Sequence, residues 1–288
     1  MKVLLTGAAG RLGSITLCHL HGAGLDVCAT DIRANAKAPV RIQVANLLQP
    51  ENCYALMQDV EVVVHLANHP SPEFGTAQKV FGENTTMNMN VLQAAKEMGV
   101  RKIVFASSVQ AFMGDRRFHT PDAPTAVQYL PVDGRHPVTP ANPYGLSKSM
   151  TEDMLRYFVR FQGIQSAVAV RFPFLRRSEW MSNRPKGMAT PISIFPYTTL
   201  DELFTWLSME DAGRLLLAIV KADLPGYRCY MPASPAPRIS MTIREIIEKF
   251  FKDVPLRRPI EQIDGLWDIS GITADTGWKP IDTLWEIK

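Results

Sequence analysis

The sequence predicts an α/β fold with a doubly wound parallel sheet, and two observations lead to it. Short strand-like runs alternate with helical patterns across residues 1–171, and most of these runs are apolar at every position. Continuously apolar strands are typical of parallel sheets that are covered on both faces, and the strand–helix alternation supplies the covering helices. In this architecture, ligands bind beyond the carboxyl ends of the strands.

Six strands and six helices follow from these patterns. The predicted strands cover residues 3–6, 27–31, 40–45, 60–66, 102–107 and 167–171, and the predicted helices cover residues 12–20, 53–58, 84–98, 143–162, 208–221 and 242–251. The stretch 118–143 is rich in Pro, Asp and Thr, which predicts a loop over the carboxyl edge of the sheet. From residue 172 onward the alternation stops, which predicts a second, smaller lobe.

Three glycines separate the first strand from the first helix: Gly7, Gly10 and Gly13. Glycine permits a tight turn that brings the backbone close to a pyrophosphate, which the exposed N–H groups of the following helix bind. The spacing alone is a weak signal, because a glycine-rich turn can be purely structural. Its position between a strand and a helix strengthens the prediction of a dinucleotide site.

Asp31 closes the second strand, where a carboxylate accepts hydrogen bonds from the hydroxyls of an adenosine ribose. The same charge repels a 2′-phosphate, by about 4 kcal/mol for each pair of unit charges that lie about 4 Å apart at an effective dielectric constant of about 20. We therefore expect NAD rather than NADP as the cofactor. Arg11 and Arg33 are the nearby cations that would weaken this preference.

Tyr144 and Lys148 are four residues apart in a predicted helix, so their side chains share one face. A tyrosine base that works near pH 7 needs its pKa lowered from about 10 by about 3 units, and a nearby ammonium favours the phenolate. Ser107 and Ser108 close the strand that begins at residue 102 and would lie at the same edge of the sheet. Together, Ser108, Tyr144 and Lys148 predict acid–base chemistry on a hydroxyl group.

Composition argues against several classes of protein. The net charge is only +3, with Lys and Arg dispersed, so the chain has no electrostatic footprint for nucleic acid or an anionic membrane. No apolar stretch approaches the roughly 20 residues of a membrane span. The four cysteines are scattered without a Cys-x-x-Cys pair, which favours free thiols over disulfides or a metal site. We expect a cytoplasmic protein without a metal, whose partner is a small molecule.

Five segments together resemble one known family. They are the glycine motif with Asp31, residues 62–67, residues 105–108, residues 143–148 and the Gly-Trp-x-Pro element that begins at Gly277. The sequence is similar to the extended short-chain dehydrogenases/reductases of the NAD-dependent epimerase/dehydratase family over nearly its whole length. The resemblance implies a Rossmann-type NAD-binding domain over residues 1–171 that carries the catalytic Ser/Tyr/Lys set. It also implies a mainly substrate-binding lobe over residues 172–288, with segments that return to the first domain.

The resemblance also assigns residues to the site. The catalytic residues are Ser108, Tyr144 and Lys148, and Asn46 would contact adenine where relatives often have Asp. The full cofactor-binding set is Gly7, Ala9, Gly10, Arg11, Leu12, Gly13, Asp31, Ile32, Asn46, Leu47, Leu66, Ala67, Asn84, Tyr144 and Lys148. The expected substrate-binding residues are Ser107, Ser108, Arg171 and Arg176.

Three departures from the family's patterns narrow the chemistry. Val109 and Gln110 stand where dehydratases have an Asp-Glu pair, and Ala106 with the two following serines lacks the Cys of the 3,5-epimerases. The segment after Arg171 lacks the Asn that helps nucleotide-sugar 4-epimerases to hold their nucleotide. The C-terminal lobe is also short for a nucleotide sugar, which favours a smaller substrate.

Among the family's members, the uronate dehydrogenases are the most similar, in their compact size, in residues 105–108 and in residues 205–208 ahead of the acidic pair Glu210 and Asp211. A uronate carboxylate calls for a guanidinium partner. The candidates at the start of the lobe are Arg171, Arg176, Arg177 and Arg184. Any single loop arginine is more often solvated, and Arg171 has a structural role at its strand end as its alternative.

The predicted function is therefore NAD-dependent oxidation of a secondary alcohol on a sugar or a uronate-like sugar acid. One alternative is a nucleotide-sugar 4-epimerase, and an alternative of another class is a non-catalytic dinucleotide-sensing or RNA-associated binding protein. The Tyr144/Lys148 pair argues against a non-catalytic protein, since a pure sensor does not need it. The resemblance further implies a homodimer that pairs through the helices predicted over residues 84–98 and 143–162.

Overall fold

Seven parallel strands form the central sheet of the protein, in the order β3-β2-β1-β4-β5-β6-β9. The structure is a computed structural model that describes residues 1–112, 125–177, 200, 202–239 and 241–282. The strands of the sheet are β1 (Lys2–Thr6), β2 (Asp26–Asp31), β3 (Ile42–Val44), β4 (Val62–His65), β5 (Lys102–Ser108), β6 (Ser166–Phe172) and β9 (Gly226–Tyr230). Two short strands, β7 (Phe174–Arg176) and β8 (Trp206–Ser208), pair separately in parallel.

The strand order reverses between β1 and β4, and this reversal positions the site. Thr6 at the end of β1 is in register with Thr30 on one side and His65 on the other. At the end of β5, Ser108 is in register with Phe172 of β6. The carboxyl ends of β1, β4 and β5 therefore meet at one edge of the sheet, where the order reversal leaves a crevice for a ligand.

Helices cover both faces of the sheet. They are α1 (Arg11–Gly22), α2 (Pro50–Leu56), α3 (Ala77–Glu97), α4 (Val109–Phe112), α5 (Pro143–Gln162), α6 (Met209–Lys221), α7 (Ile243–Phe250) and α8 (Ser270–Thr276). The helices α1 and α6 pack together over one core, whereas α3 packs against α5 over the other. Alternate residues of β1 pack into the two cores: Val3 and Leu5 belong to the first, and Leu4 belongs to the second.

A third hydrophobic core lies outside the sheet and belongs to the lobe. It joins Phe112 and Val132, which follow β5, to Phe204, Ile246 and other residues of the C-terminal part. Backbone hydrogen bonds tie the two parts together, since Val132 donates to the carbonyl of Leu266 at 2.9 Å. The lobe is thereby fixed beside the carboxyl edge of the sheet.

The predicted fold class is confirmed, and each predicted strand overlaps an observed one. Among the predicted helices, the largest difference is in α3, which begins at Ala77 rather than at residue 84, because Thr76 caps it by accepting from the N–H of Lys79. The short helices α4 and α8 were not predicted. The strand β9 has half-buried residues at an edge of the sheet and carries no continuous apolar run, so its pattern gave no prediction. Part of the loop predicted over 118–143 lies outside the described residues. Among the described helices, none is long and apolar enough to cross a membrane.

Candidate active site

The glycine-rich turn after β1 is as tight as its sequence predicts. Gly7 has a φ of +71°, and a Cβ there would lie 2.8 Å from the backbone N of Ala67. A Cβ at Gly13 would lie 1.9 Å from the carbonyl oxygen of Gly7. Contacts under 3.0 Å do not occur for real side chains, so both positions require glycine. The turn forms a concave backbone surface against the end of β4.

This surface fits a dinucleotide. The helix α1 starts at Arg11 and has no side-chain cap, so the N–H groups of its first turn face outward at the crevice. Asp31 is buried at the end of β2, where its Oδ2 accepts from the N–H of Ala9 at 3.0 Å and its Oδ1 accepts from the N–H of Arg33 at 3.1 Å. The carboxylate is thus fixed beside the turn, and its remaining lone pairs suit ribose hydroxyls.

Other predicted cofactor residues have clear local partners. Asn46 Oδ1 accepts from the N–H of Leu48 at 3.0 Å, and Ile32 is exposed beyond the end of β2. Asn84 is fully buried, and its side chain bonds the N–H of His69 at 2.7 Å and Ser147 Oγ at 3.2 Å. Asn84 therefore connects the loop after β4 to α5.

Tyr144 and Ser108 are brought together where α5 begins. Tyr144 lies in the first turn of α5, which Asn142 caps by accepting from the N–H of Gly145 at 2.8 Å. A Cβ at Gly145 would lie 2.1 Å from the carbonyl oxygen of Gln110, so only glycine lets the helix approach α4 this closely. The Tyr144 hydroxyl thereby lies near Ser108 at the end of β5, and the Ser108 hydroxyl acts on the Tyr144 pKa.

Lys148 lies one turn further along α5 and is buried beneath Tyr144. Its Nζ donates to Asn68 Oδ1 at 2.8 Å and to the carbonyl oxygen of Ala106 at 2.7 Å. The same ammonium lies 5.6 Å from the centre of the Tyr144 ring and 4.6 Å from that of Phe105. The structure therefore brings Ser108, Tyr144 and Lys148 to one place, as the sequence predicts.

Burial dominates the protonation of this set. It raises the pKa of Tyr144 to about 12, with a smaller opposing effect of the Ser108 hydrogen bond and a smaller raising effect of Glu202. Burial also lowers the pKa of Lys148 to about 7. The expected lowering of the Tyr144 pKa is therefore not produced by the protein's own groups, because desolvation of the phenolate outweighs them.

Ser107 and Arg171, which the sequence suggested for substrate binding, instead meet behind the site. Arg171 is 1% exposed, and it donates to both carboxylate oxygens of Glu152, at 2.9 and 2.7 Å. It also donates to the carbonyl oxygen of His136 at 3.1 Å, and Ser107 Oγ donates to Glu152 Oε1 at 2.7 Å. This geometry supports the structural alternative for Arg171, and it commits the Ser107 hydroxyl to the same carboxylate.

Arg176 lies on the other side of the site, in the lobe. Its guanidinium carbon lies 3.9 Å from the centre of the Phe174 ring, and that of Arg238 lies 4.4 Å from the same centre. Arg238 also pairs with Glu202 at 2.7 Å, in a nearly buried position. Phe174 lies two residues beyond Phe172, the residue of β6 in register with Ser108, and Glu202 is among the groups that act on the Tyr144 pKa, so this cluster borders the catalytic set. Arg184 lies outside the described residues.

Sequence reasoning missed Glu202, Arg238 and Asn68. Glu202 and Arg238 are 36 residues apart and belong to no motif, so nothing in the sequence pairs them. Asn68 directly follows the family-like segment that ends at Ala67, and its position at the carboxyl end of β4 was the available signal.

Comparison with known proteins places this site in a family. Residues 3–226 match the NAD dependent epimerase/dehydratase family. A putative UDP-glucose 4-epimerase of Methanocaldococcus jannaschii is 33% identical over 207 residues, which are 67% of this chain and 61% of that protein. An NAD-dependent glucose-6-phosphate dehydrogenase of Haloferax volcanii is 30% identical over 77% of this chain and 80% of its own. A uronate dehydrogenase of Pseudomonas syringae is 27% identical over 75% and 68%.

Solved structures share the fold. A short-chain dehydrogenase/reductase superfamily protein from Agrobacterium tumefaciens with bound NAD has a TM-score of 0.71 at 20% identity and covers 100% of this chain and 94% of that one. A mutated uronate dehydrogenase has a TM-score of 0.66 at 24% identity, with 97% and 81% covered.

The family match covers well over half of the chain and includes the glycine turn, Asp31 and the Ser108, Tyr144 and Lys148 set. It confirms the predicted NAD cofactor and the prediction of an enzyme of the short-chain dehydrogenase/reductase type. The chain belongs to the NAD-dependent epimerase/dehydratase family.

Proposed function

We propose that this protein is an NAD-dependent dehydrogenase that acts on a secondary alcohol of a sugar or of a uronate-like sugar acid. The observation that carries the proposal is that Ser108 lies close enough to Tyr144 to lower its pKa, with the Lys148 ammonium 5.6 Å from the centre of the tyrosine ring. These groups lie at the carboxyl edge of the sheet, beside the turn that fits a dinucleotide. Two adjacent hydroxyls and a cation suit the removal of a proton from a substrate alcohol.

Each side chain then has one role. Ser108 holds the substrate oxygen, and the neighbouring Tyr144 takes the hydroxyl proton. Lys148 supplies a positive charge that favours the Tyr144 phenolate against the effect of burial. Bound NAD would supply the hydride acceptor and a second positive charge at its nicotinamide ring.

Two arginines of the lobe support the proposal of an anionic substrate. Arg176 and Arg238 both stack on Phe174 next to the catalytic set, and Glu202 is close enough to raise the pKa of Tyr144. A charge-assisted hydrogen bond from a guanidinium to a carboxylate contributes about 1.5–3 kcal/mol. Such a contact would favour a sugar acid over the corresponding neutral sugar.

A 4-epimerase is the second candidate, and the relatives described as UDP-glucose 4-epimerases favour it. The same Tyr144, Ser108 and Lys148 would serve both reactions. The two functions differ in their products, because a dehydrogenase accumulates reduced cofactor whereas an epimerase regenerates NAD in every turnover.

The test is a panel of free uronates, neutral aldoses and nucleotide sugars, each incubated with NAD while NADH absorbance is followed and the sugars are analysed by chromatography. We expect net NADH with a free uronate and none with nucleotide sugars. Tyr144→Phe is the control, and it should abolish turnover with NAD affinity nearly intact. Interconversion of a nucleotide sugar without net NADH would establish the epimerase instead, and full activity of Tyr144→Phe would refute the proposed base.

We further propose a homodimer that pairs through α3 and α5. The outer face of α5 carries an exposed apolar stripe, in which Tyr157 and Phe161 are 46% and 67% exposed, and Met89 is exposed on the neighbouring α3. Phe161→Glu should convert a dimer to a monomer in light scattering coupled to size-exclusion chromatography. Val44→Glu, at an equally exposed position on β3, is the matched control. A wild-type protein that is monomeric at micromolar concentration would rule the dimer out.

A further inference from the structure

A chain of buried hydrogen bonds connects Lys148 to the end of β1. The Lys148 ammonium donates to Asn68 Oδ1, and Asn68 Nδ2 donates to Asn88 Oδ1, both at 2.8 Å. His65 Nε2 lies 2.9 Å from the same Asn88 oxygen, and His65 Nδ1 lies 2.7 Å from Thr6 Oγ1. These five side chains come from β1, β4, the loop after β4, α3 and α5, so the hydrogen bonds link five parts of the fold.

The direction of each bond follows from the Thr6 end. Thr6 Oγ1 accepts from the N–H groups of Leu66 and Ala67, both at 3.2 Å, which occupies its two lone pairs. Its own proton is therefore donated to His65 Nδ1. Burial lowers the pKa of His65 to about 4, so the ring is neutral and its single N–H is on Nε2. That N–H donates to the Asn88 oxygen.

The amide of Asn88 is fixed from its other end as well. Its Nδ2 donates to Thr151 Oγ1 at 2.7 Å, and Thr151 in turn donates to the carbonyl oxygen of Ser147 at 2.8 Å. The Asn88 oxygen therefore has to accept, and one of the hydrogen bonds that it accepts comes from the NH₂ group of Asn68. Since that NH₂ group is committed to Asn88, the oxygen of Asn68 has to face Lys148.

The environment of Lys148 makes this oxygen important. Its other close partners are the Ala106 carbonyl and the Phe105 ring on β5, neither of which carries a charge. The titratable groups that face it are Tyr144 on its own helix and the neutral His65 on β4. Glu152, one turn further along α5, is paired with Arg171. Neutral oxygens therefore stabilise a buried ammonium whose pKa is about 7.

We propose that Asn68 is a positioning residue that keeps Lys148 protonated and directed beneath Tyr144, with its own oxygen oriented by the Thr6–His65–Asn88 chain. This rests on the proposed function, in which the Lys148 cation favours the Tyr144 phenolate. Asn68 acts on the reaction only through Lys148.

The kcat of Asn68→Ala should fall below that of the wild type as the pH rises. Asn68→Ala removes a hydrogen bond that the ammonium donates much more strongly than the neutral amine does, so it lowers the Lys148 pKa below about 7. Below that lowered pKa, Lys148 is protonated in both proteins and their rates are similar. As the pH rises through it, Lys148 loses its charge first in the variant, and the variant falls behind. A hydrogen bond to a charged group corresponds to about tenfold to a hundredfold in the protonation equilibrium.

The experiment compares kcat of the wild type and Asn68→Ala from pH 5 to pH 9 on a confirmed substrate. We expect a ratio close to one at the acid end that rises to about tenfold to a hundredfold at the alkaline end. A purely structural defect would lower kcat equally at every pH, and that result would overturn the proposal. Gln43→Ala is the control, since it removes an exposed amide that donates to Cys28, on the outer strands of the sheet.

A second readout needs neither cofactor nor turnover. Heteronuclear NMR of labelled lysine side chains in the cofactor-free protein gives the Lys148 titration midpoint, with Lys148→Met to identify the signal. The midpoint should fall by about one to two pH units in Asn68→Ala and rise in Asn68→Asp, where a carboxylate replaces the neutral oxygen. Unchanged midpoints would refute the role of Asn68 even if Tyr144 is the base. Shifted midpoints with a fully active Tyr144→Phe would instead refute the proposed function alone.

Discussion

Ser107 Oγ donates to Glu152 Oε1 at 2.7 Å, whereas its neighbour Ser108 accepts from the N–H of Gln110 at 3.2 Å and lies near Tyr144. Successive side chains of a strand point to opposite faces, so the two hydroxyls at the end of β5 serve different structures. Ser108 faces the reacting group, whereas Ser107 helps to satisfy a buried carboxylate. Two serines that are adjacent in the sequence should therefore have separable mutant phenotypes.

Ser108→Ala should lower kcat by about a hundredfold to a thousandfold, the usual cost of removing one preorganised donor to a reacting oxygen. Its free energy of unfolding should change less than that of Ser107→Ala, because the Ser108 hydroxyl accepts from the N–H of Gln110 at 3.2 Å and does not satisfy a buried carboxylate. Ser107→Ala should show the reverse pattern, with kcat within a few-fold of wild type and a loss of about 1–3 kcal/mol in the free energy of unfolding. Steady-state kinetics and urea unfolding measure the two effects. If Ser107→Ala instead reduced kcat as strongly as Ser108→Ala, the separation of roles would be wrong.

Arg171→Met should destabilise the protein strongly. The Arg171 guanidinium is held by two hydrogen bonds to Glu152 in a fully buried position. Among the described residues, its removal leaves the buried Glu152 carboxylate with only the Ser107 hydroxyl and the more distant Arg156, at 3.9 Å, as partners. Such a loss costs about 3–5 kcal/mol. The double variant Arg171→Met/Glu152→Met should recover part of this loss, because no buried charge remains. Urea unfolding of the two single variants and the double variant gives the coupling energy. A stable Arg171→Met protein with only a raised KM for substrate would return Arg171 to the substrate site.

The sequence could predict the sheet, because its strands are apolar runs between helical patterns, and it could predict the catalytic set, because the Tyr144 and Lys148 spacing and the end of β5 are local features. It could not predict the pairing of Glu152 with Arg171, since two charged residues in a helix and a strand show no mark of burial. The contact between Phe174 and Arg238 could not be predicted either, because only the folded lobe brings residues so far apart in the sequence together.

Wild-type protein should bind NAD at least about tenfold more tightly than NADP. The Asp31 carboxylate is held in place by the N–H groups of Ala9 and Arg33, so it cannot turn away from a 2′-phosphate. Repulsion at about 4 Å with an effective dielectric constant of about 20 amounts to about 4 kcal/mol per pair of unit charges, well above a tenfold effect. Titration of intrinsic Trp fluorescence with both dinucleotides measures the preference, and Asp31→Ala should reduce it. Equal affinities in the wild type would mean that Arg11 or Arg33 outweighs the carboxylate.

Arg176 should make the enzyme prefer a negatively charged substrate over a neutral one. A free uronate should exceed its neutral aldose by about tenfold to a hundredfold in kcat/KM, the value of one charge-assisted hydrogen bond. Arg176→Met should remove that difference and leave kcat/KM for the aldose unchanged. The Arg176 guanidinium lies against Phe174, beside Ser108, Tyr144 and Lys148 rather than among them. Arg176 is a better choice than Arg238, whose loss would leave Glu202 buried without its ion-pair partner.

If Arg176→Met lowers activity, the KM for NAD shows whether Arg176 binds the substrate's carboxylate or the cofactor's pyrophosphate. Arg11, in the first turn of α1, lies close enough to lower the pKa of Arg176, although burial is the larger cause. A guanidinium so close to the dinucleotide turn could instead serve the cofactor's pyrophosphate. In that case Arg176→Met would raise the KM for NAD and lower kcat/KM for uronate and aldose alike. If it does so, the uronate preference has another origin, whereas a loss confined to the uronate places the substrate's carboxylate at Arg176.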